Sequence, residues 1–265
     1  MSYVDLKDKV DKWLDFISTD EFFVEGINEA KESSLLIDNA DYAKLKEELL
    51  ENLISKKRYA FTKHYVIPMN VEELVGEFYP EEIAILNYAS FTSPGGLFMD
   101  GKIAQEESIC HFTGMYPVLR DNYSVNPYLY NLSRKNNGKY THSFIVMKVP
   151  YKSKDKMGKV CIISSAAPNY TSYKKYNNRS ITEEELNIAM RERQELVYLI
   201  AGLLNVETFV AGPWGCGVFL GDPVKVAKNW KHCSEKYPGL FKRIIHTCPD
   251  MNSKNYKSFI SIFPD

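Results

Sequence analysis

Short β-rich runs alternate with helical patterns along most of this chain, and that alternation is its strongest structural constraint. From Lys63 onward the runs are rich in Ile, Val, Tyr and Phe, and stretches with apolar residues at helical spacing separate them. The runs are Tyr65 to Met69, Ile83 to Tyr88, Ser143 to Val149, Val160 to Ser164, Thr208 to Ala211 and Arg243 to Cys248. Strands that alternate with helices in this way predict an α/β layered domain.

Capping patterns mark where several helices begin. Asn70 and Thr182 each precede a glutamate by three residues, and Asp222 precedes a proline, which are typical helix starts. The longest helix should run from about Ile181 to Asn205. Surface loops are predicted for two polar stretches without periodicity, Tyr151 to Lys159 and Tyr170 to Arg179.

The first sixty residues carry apolar stripes at helical spacing. Leu6, Val10 and Trp13 begin one such stripe, and a Leu-rich stripe follows in the second half of the segment. We therefore predict that residues 1–60 form a helical N-terminal extension packed on the core. Residues 61–265 would then form the main α/β domain.

The charge balance excludes several classes of protein. The 265 residues include 33 Lys and Arg against 34 Asp and Glu, and 45% are hydrophobic, which indicates a globular chain. No basic cluster extends beyond Lys56 to Arg58, so we expect no sequence-specific nucleic-acid binding. No apolar run is long enough to span a membrane and the N-terminus lacks a secretory pattern, so we expect a cytoplasmic protein without a membrane partner.

The five cysteines lie far apart and contain no Cys-x-x-Cys pair. Their spacing fits neither a disulfide framework nor a zinc site, so we predict no metal. Most should behave as small buried hydrophobes in a reducing compartment. A nucleophilic role for Cys216, or for Cys110 beside His111, is a weaker alternative because no histidine neighbours Cys216 in sequence. The five are Cys110, Cys161, Cys216, Cys233 and Cys248.

A glycine-containing loop followed by two carboxylates carries most of the chemical information. The strand ending at Tyr88 runs into the loop Ser93 to Gly96, and a helix is expected to begin near Ile103. Glycines there can take positive φ, and a helix N-terminus favours anions. Glu106 and Glu107 follow on that helix. Because adjacent helical residues point about 100° apart, the two carboxylates cannot serve the same role.

A second loop, Phe209 to Pro223, again places glycines between a strand and a helix. Its glycine amides can face phosphate oxygens, and Trp214 and Phe219 are placed to wall a sugar or a base. Its spacing does not match the dinucleotide fingerprint G-x-G-x-x-G, so hydride transfer is poorly supported. Taken alone, the loop fits tight packing equally well, and Trp214 fits a core position.

Together these segments resemble the microbial-type poly(ADP-ribose) glycohydrolases, a family built on the macrodomain fold. The resemblance extends from about Tyr65 to Phe263, with the segments in the family's order. The segments are Asn87-Tyr-Ala-Ser90, Pro94-Gly-Gly96, Gly101, Ala104-Gln-Glu-Glu107, Tyr116-Pro117, Ser164 to Asn169, Gly215-Cys-Gly-Val-Phe219 and Asp222-Pro223.

The resemblance implies a fold and a reaction. The fold is a three-layer α/β/α macrodomain with a mixed central sheet, spanning residues 61–265. The reaction is hydrolysis of a ribosyl O-glycosidic bond that releases ADP-ribose from poly(ADP-ribose) or from ADP-ribosylated macromolecules. In the family the second glutamate of the Gln-Glu-Glu run is the acid, which implies that role for Glu107. Glu106 would bind the leaving ribose, and no metal or cofactor is implied.

Substrate contacts are implied by position in the family pattern. The loop from Pro94 to Gly101 would surround the reacting ribose, and Gln105 would support that loop. The loop from Gly215 to Phe219 would hold the diphosphate through backbone amides, with Phe219 against the ribose. The implied contacts are Asn87, Pro94, Gly95, Gly96, Gln105, Gly215, Cys216, Gly217, Val218 and Phe219.

One residue departs from the family pattern. The family has three successive glycines, and Leu97 stands where the third would be. A side chain there must either turn away from the ligand or narrow the cleft, and it loses easy access to positive φ. The alternative function is therefore a reader, a macrodomain that binds ADP-ribose without cleaving it. The intact Gln105-Glu-Glu107 run favours the enzyme.

Overall fold

Ten α-helices and seven β-strands make up the described part of the chain. The computed structural model describes residues 3–38, 41–53, 58–90, 92–121, 143–176 and 182–264. The helices are α1 (Tyr3–Thr19), α2 (Glu21–Ser33), α3 (Tyr42–Leu53), α4 (Val71–Phe78), α5 (Gln105–Cys110), α6 (Met115–Asp121), α7 (Tyr170–Tyr176), α8 (Glu183–Leu203), α9 (Pro223–Lys236) and α10 (Lys254–Ile262). The strands are β1 (Leu35–Asp38), β2 (Lys63–Ile67), β3 (Ile83–Tyr88), β4 (Ser143–Ser153), β5 (Lys156–Ser165), β6 (Thr208–Ala211) and β7 (Arg243–Thr247).

The seven strands form one mixed sheet in the order β1-β4-β5-β3-β6-β7-β2. Pairing is antiparallel between β1 and β4 and between β4 and β5, and it is parallel from β5 to β2. The carboxyl ends of β5, β3, β6 and β7 therefore lie at the same edge of the sheet. Ligands of open α/β sheets bind outside that edge.

Helices cover both faces of the sheet, because successive strand residues point to opposite sides. On one face, Leu86 packs in a core with residues of α3 and α7 to α10, including Trp230. On the other face, Ile85 packs in a second core with residues of α1, α2 and α4 to α6, including Phe23. The predicted three-layer α/β/α fold with a mixed central sheet is thus confirmed.

The N-terminal segment differs from the helical extension that we predicted. It contains α1 to α3, but Leu35–Asp38 form β1, which pairs with β4 at the edge of the central sheet. The prediction of an entirely helical segment is therefore wrong at β1. A four-residue strand between two amphipathic helices leaves no alternating pattern long enough to detect. The domain boundary at residue 60 stays a prediction.

The two predicted surface loops are also wrong where the structure describes them. Tyr151 to Lys159 form the end of β4, a two-residue turn at Lys154 and Asp155, and the start of β5. The partner strand supplies the hydrogen bonds that stabilise these polar residues as strands. Within the other stretch, residues 170–176 form α7, and residues 177–179 lie outside the described residues.

The predicted helix starts are confirmed. Asn70 accepts a hydrogen bond from the Glu73 amide at the start of α4, Thr182 and Glu185 form a capping box at the start of α8, and Asp222 caps α9 with a proline at its first turn. The longest helix lies within the predicted range. Among the described residues, no helix is long and apolar enough to cross a membrane.

Glu195 of α8 anchors α3 to the core. Its carboxylate is the acceptor for the hydroxyls of Tyr42 and Tyr237, and it pairs with Lys236 (2.7 Å) and Lys46 (3.3 Å). Burial alone raises the pKa of Glu195, but the hydrogen bonds from Lys236, Tyr237 and Tyr42, together with the charge of Lys46, lower it to about 2. The carboxylate is therefore a charged attachment point for the N-terminal segment.

Two stacked histidines join the edge strand β2 to β7. The Ser234 hydroxyl donates to the Lys231 carbonyl, so the Ser234 oxygen is left to accept from Nε2 of His64 (2.8 Å). Nδ1 of His64 then accepts from Nε2 of His246 (3.0 Å), which fixes both neutral tautomers. Burial lowers the pKa of His64 to about 4 and that of His246 well below its usual range. Both rings are neutral at pH 7.

Candidate active site

The candidate site lies where β3 and β6 separate at the carboxyl edge of the sheet. Pairing of β3 with β6 ends at Ile85, whereas pairing of β3 with β5 continues to Tyr88. The Gln105 side chain fills the resulting gap: its oxygen accepts from the Tyr88 amide (2.8 Å) and its nitrogen donates to the Leu86 carbonyl (2.8 Å). Gln105 thereby replaces the missing strand neighbour and attaches the start of α5 to the sheet.

A cleft of about 550 Å³ opens at this point, which is within the usual range for a small-molecule site. The two glycine loops form opposite sides of the cleft. Its lining includes Asn70, Tyr88, Ser90, Gly96, Leu97, Gln105, Glu106, Glu107, Trp214, Gly215, Gly217, Val218, Phe219, Thr247 and Asn255.

Glu106 is held firmly by the first loop. Its carboxylate accepts hydrogen bonds from the Ser90 amide (2.6 Å), the Gly95 amide (3.2 Å) and Nδ2 of Asn87 (3.3 Å), and the residue is 3% exposed. Donors to both oxygens stabilise a negative charge on this group. Asn87 is itself wholly buried behind Glu106 and also donates to Ser164 (3.0 Å). The geometry makes Asn87 a support for Glu106.

Glu107 faces the cleft with fewer constraints. Its Oε1 accepts from the Leu97 amide (2.9 Å), while its Oε2 accepts no hydrogen bond from the residues that the structure describes. A Cβ built on Gly96 would lie 2.2 Å from Oε1 of Glu107, and Gly96 has a φ of +61°. A side chain at position 96 would therefore displace the Glu107 carboxylate and would need a strained backbone conformation. The free carboxylate oxygen is available to carry a proton or to contact a ligand.

Leu97 does not need the conformation that a third glycine would allow. It begins the short 3-10 turn Phe98–Asp100 with φ −108° and ψ 32°, so its φ is negative. Its side chain is 50% exposed and lines the cleft. The predicted loss of positive φ is therefore irrelevant at this position, and the side chain borders the cleft. The contact with Glu107 is made by the backbone amide, which every residue but proline supplies.

The second loop is a tight turn that presents backbone amides. The Leu220 amide bonds the Gly217 carbonyl (3.0 Å), and the Gly221 amide bonds the Gly215 carbonyl (2.9 Å). The amides of Gly217 and Val218 donate no hydrogen bond to any described residue. Consecutive amides that point away from their own chain can bind an anion.

Two side chains of this loop, Trp214 and Cys216, pack toward the hydrophobic core. The indole nitrogen of Trp214 donates to the Ser165 carbonyl (3.1 Å), and the ring is wholly buried, although it also lines the cleft. Burial raises the pKa of the Cys216 thiol far above its ordinary value, and it raises that of Cys110 likewise. Raised pKa values oppose a thiolate nucleophile at either position.

The structure brings most of the predicted site residues together. Gly96, Gln105, Glu106, Glu107, Gly215, Gly217, Val218 and Phe219 line the cleft. Four others are not lining residues: Asn87 and Gly95 donate to Glu106, Cys216 donates to the Trp214 carbonyl, and Pro94 follows the lining residue Ser93 in sequence. The helix that carries the glutamates begins at Gln105, slightly later than expected, and this places both glutamates in its first turn.

Several lining residues were not identified as site residues from the sequence, among them the polar residues Asn70, Thr247 and Asn255. Asn70 was identified only as a helix cap. Thr247 ends β7 and Asn255 lies in the first turn of α10. The parallel pairing of β2 with β7 brings Asn70 and Thr247 near each other, and no local pattern signals that pairing.

Across the described ranges, no cluster of three or more His, Cys, Asp or Glu could hold a metal ion.

Comparison with known proteins agrees with this geometry. Residues 26–149 match the family model described as microbial-type PARG, catalytic domain, where PARG is poly(ADP-ribose) glycohydrolase. The matched region is therefore similar to the catalytic domain of the microbial-type poly(ADP-ribose) glycohydrolases. It contains the first glycine loop and both glutamates, so the resemblance seen in the sequence is confirmed. Among curated proteins, none matches the chain.

Solved PARG structures match almost the whole chain. Poly(ADP-ribose) glycohydrolase from Thermomonospora curvata is 23% identical, with a TM-score of 0.82 over 98% of this chain and 99% of that one. The Deinococcus radiodurans enzyme, crystallised in complex with ADP-ribose, is 25% identical, with a TM-score of 0.78 over 90% of this chain and 97% of that one. The predicted glycohydrolase class is thus confirmed, and the second glycine loop falls within the shared fold.

Proposed function

We propose that this PARG-family protein releases ADP-ribose by using Glu107 as its acid and base. A protonated Glu107 would give its proton to the leaving hydroxyl as the ribosyl bond breaks through an oxocarbenium-like transition state. The ionised carboxylate would then take a proton from the attacking water. The observation that carries this assignment is the difference between the two glutamates: three donors hold Glu106, whereas Glu107 lines the cleft and its Oε2 has no described hydrogen-bond partner.

Substrate recognition would divide between the two loops. Glu106 would bind the leaving ribose, and the amides of the second loop would hold the diphosphate, with Phe219 against the reacting ribose. Support comes from the unpaired amides of Gly217 and Val218 and from the presence of Phe219 in the same cleft as Glu107. ADP-ribose in the Deinococcus radiodurans complex supports the same ligand here. We extend the proposed substrates to ADP-ribosylated macromolecules.

The test compares wild type with Glu107→Gln on poly(ADP-ribosyl)ated protein and on singly ADP-ribosylated protein. Free ADP-ribose is quantified by mass spectrometry, and ADP-ribose binding is measured by calorimetry. We expect Glu107→Gln to lower turnover at least about a hundredfold, because a general acid contributes that much, and to retain binding. Glu184→Gln, at an exposed position on α8, is the matched control.

Each outcome separates the two candidate functions. Release by wild type but not by Glu107→Gln supports the glycohydrolase with Glu107 as the acid. Equal release by both proteins contradicts the assignment to Glu107. Binding of ADP-ribose without release by either protein would make the molecule a reader.

The cytoplasmic location stays a proposal based on the scattered cysteines, and cell fractionation tests it.

A further inference from the structure

One residue of α7 holds the second glycine loop from outside. The hydroxyl of Thr171 donates to the carbonyl oxygen of Val218, and the Thr171 amide donates to the carbonyl oxygen of Phe219 (3.2 Å). Thr171 therefore fixes the orientation of two successive peptide units. It lies outside the segments that carry the family resemblance.

The direction of each carbonyl sets the direction of the next amide. A peptide unit is planar and trans, so its C=O and N–H point in opposite directions. Because the Val218 carbonyl points to Thr171, the Phe219 N–H is directed away from Thr171. The Gly217 carbonyl accepts from the Leu220 amide, which turns the Val218 N–H away from Leu220 in the same manner. Val218 and Phe219 both line the cleft.

The turn also contains a strained residue, so its conformation needs outside support. Leu220 has a φ of +57°, a region that residues other than glycine rarely adopt. A flip of the Val218–Phe219 peptide would turn a carbonyl oxygen to the side that the Phe219 amide now faces. A carbonyl oxygen there would repel an anion bound by the neighbouring Gly217 and Val218 amides. The two hydrogen bonds from Thr171 oppose that change.

We propose that Thr171 is a positioning residue for the substrate diphosphate, a role that rests on the function proposed above. Its hydroxyl keeps successive amides of the second loop presented as one anion-binding surface. It acts through the loop backbone and touches no reacting atom. Because the diphosphate is bound alike in the ground state and the transition state, Thr171 should affect substrate binding and leave the chemical step unchanged.

The experiment compares Thr171→Val, which removes only the hydroxyl, with Thr171→Ser, which keeps it. Thr62→Val is the matched control, since the Thr62 hydroxyl also donates to a backbone carbonyl, that of Phe241. Thr62 precedes β2, whereas the cleft-lining Asn70 follows it, so the control lies at the opposite end of that strand from the cleft. Calorimetry gives the Kd for ADP-ribose, and kinetics on poly(ADP-ribose) give KM and kcat. Thermal unfolding is recorded for every variant.

We expect Thr171→Val to raise the Kd and KM by about three- to tenfold, the effect of one hydrogen bond, with kcat unchanged. Thr171→Ser should restore both values, and Thr62→Val should leave them at wild-type levels. The inference is overturned if Thr171→Val binds like wild type, if kcat falls while KM does not change, or if Thr62→Val weakens binding equally. Wild type that fails to bind ADP-ribose would instead remove the proposed function itself.

Discussion

Gly96 is the position where the site has the least room. Alanine there would place Cβ 2.2 Å from Oε1 of Glu107 and would require a φ of +61°. We expect Gly96→Ala to lower kcat about a hundredfold, since displacement of a catalytic group by about 1 Å has an effect of that size. Gly158→Ala, on β5 outside the cleft, is the control, because it adds the same methyl group away from Glu107. Similar kcat values for the two variants would contradict a steric role for Gly96.

Leu97 illustrates what sequence can and cannot establish about a single residue. The departure from the family's three glycines is visible in the sequence, and so is the need for glycine at Gly96. The φ of Leu97 is not visible, because it depends on the 3-10 turn that follows and on the hydrogen bond from its amide to Glu107. Helix geometry alone indicated that the two neighbouring glutamates differ in role, and only the family resemblance implied which role each would have. Which donors each would meet required the folded loop.

At the scale of elements, α3 depends on one buried charge. Glu195 has its pKa lowered to about 2, so its stabilising contribution is present above the unfolded value of about 4.5 and is lost as pH falls toward 2. We expect Glu195→Gln to lower the free energy of unfolding at pH 7 by about 2 kcal/mol, because it weakens hydrogen bonds to a charged group. Urea unfolding measures the change.

The control for Glu195 lies on α3 itself. Glu48 is exposed, and its carboxylate lies 4.0 Å from the ammonium of Lys44, so Glu48→Gln should change the unfolding free energy by less than about 0.5 kcal/mol. Between pH 4.5 and pH 2, wild type should lose more stability than Glu195→Gln. An unchanged urea midpoint in Glu195→Gln would show that α3 is held by its apolar contacts alone.

Elements with strong periodicity were predictable, and short or polar ones were not. The strand Ile83–Tyr88 and the helix Glu183–Leu203 carry long apolar patterns and explicit caps, and the structure places both as expected. The strand β1 forms because the distant β4 supplies its hydrogen bonds, and that partnership lies beyond any local window. The polar end of the β4–β5 hairpin is paired across its own two-residue turn, but its residues carry no alternating apolar pattern that would predict strands. Helix α7 was predicted to be a loop for the same lack of periodicity.

At the scale of the whole molecule, we expect the His64–His246 pair to lower the free energy of unfolding in mild acid. The folded state keeps His64 neutral down to a pKa of about 4, whereas the unfolded chain binds a proton near pH 6.5. The stability contribution present above pH 6.5 is therefore lost as pH falls toward 4. We expect His64 alone to contribute a loss of about 2 kcal/mol in unfolding free energy between pH 7 and pH 5. Urea unfolding at several pH values measures it.

The source of this pH dependence is separable from other acid effects. His64→Gln should make the decline between pH 7 and pH 5 shallower, while His232→Gln, at an exposed position on α9, should not. The Glu195 contribution falls in a lower pH window, so the two groups do not obscure each other. A decline of the same slope in wild type and His64→Gln would assign the pH dependence elsewhere.

The bond pattern of Gln105 links the central sheet to the cleft. One side chain completes the hydrogen-bonding ladder of β3 and also begins the helix that bears both glutamates. A displacement of β3 is therefore passed through Gln105 to the first turn of α5. Because the Gly95 and Leu97 amides donate to the two carboxylates, the first glycine loop follows the same displacement. Evolutionary change in the strands and in the cleft is therefore coupled at this one residue.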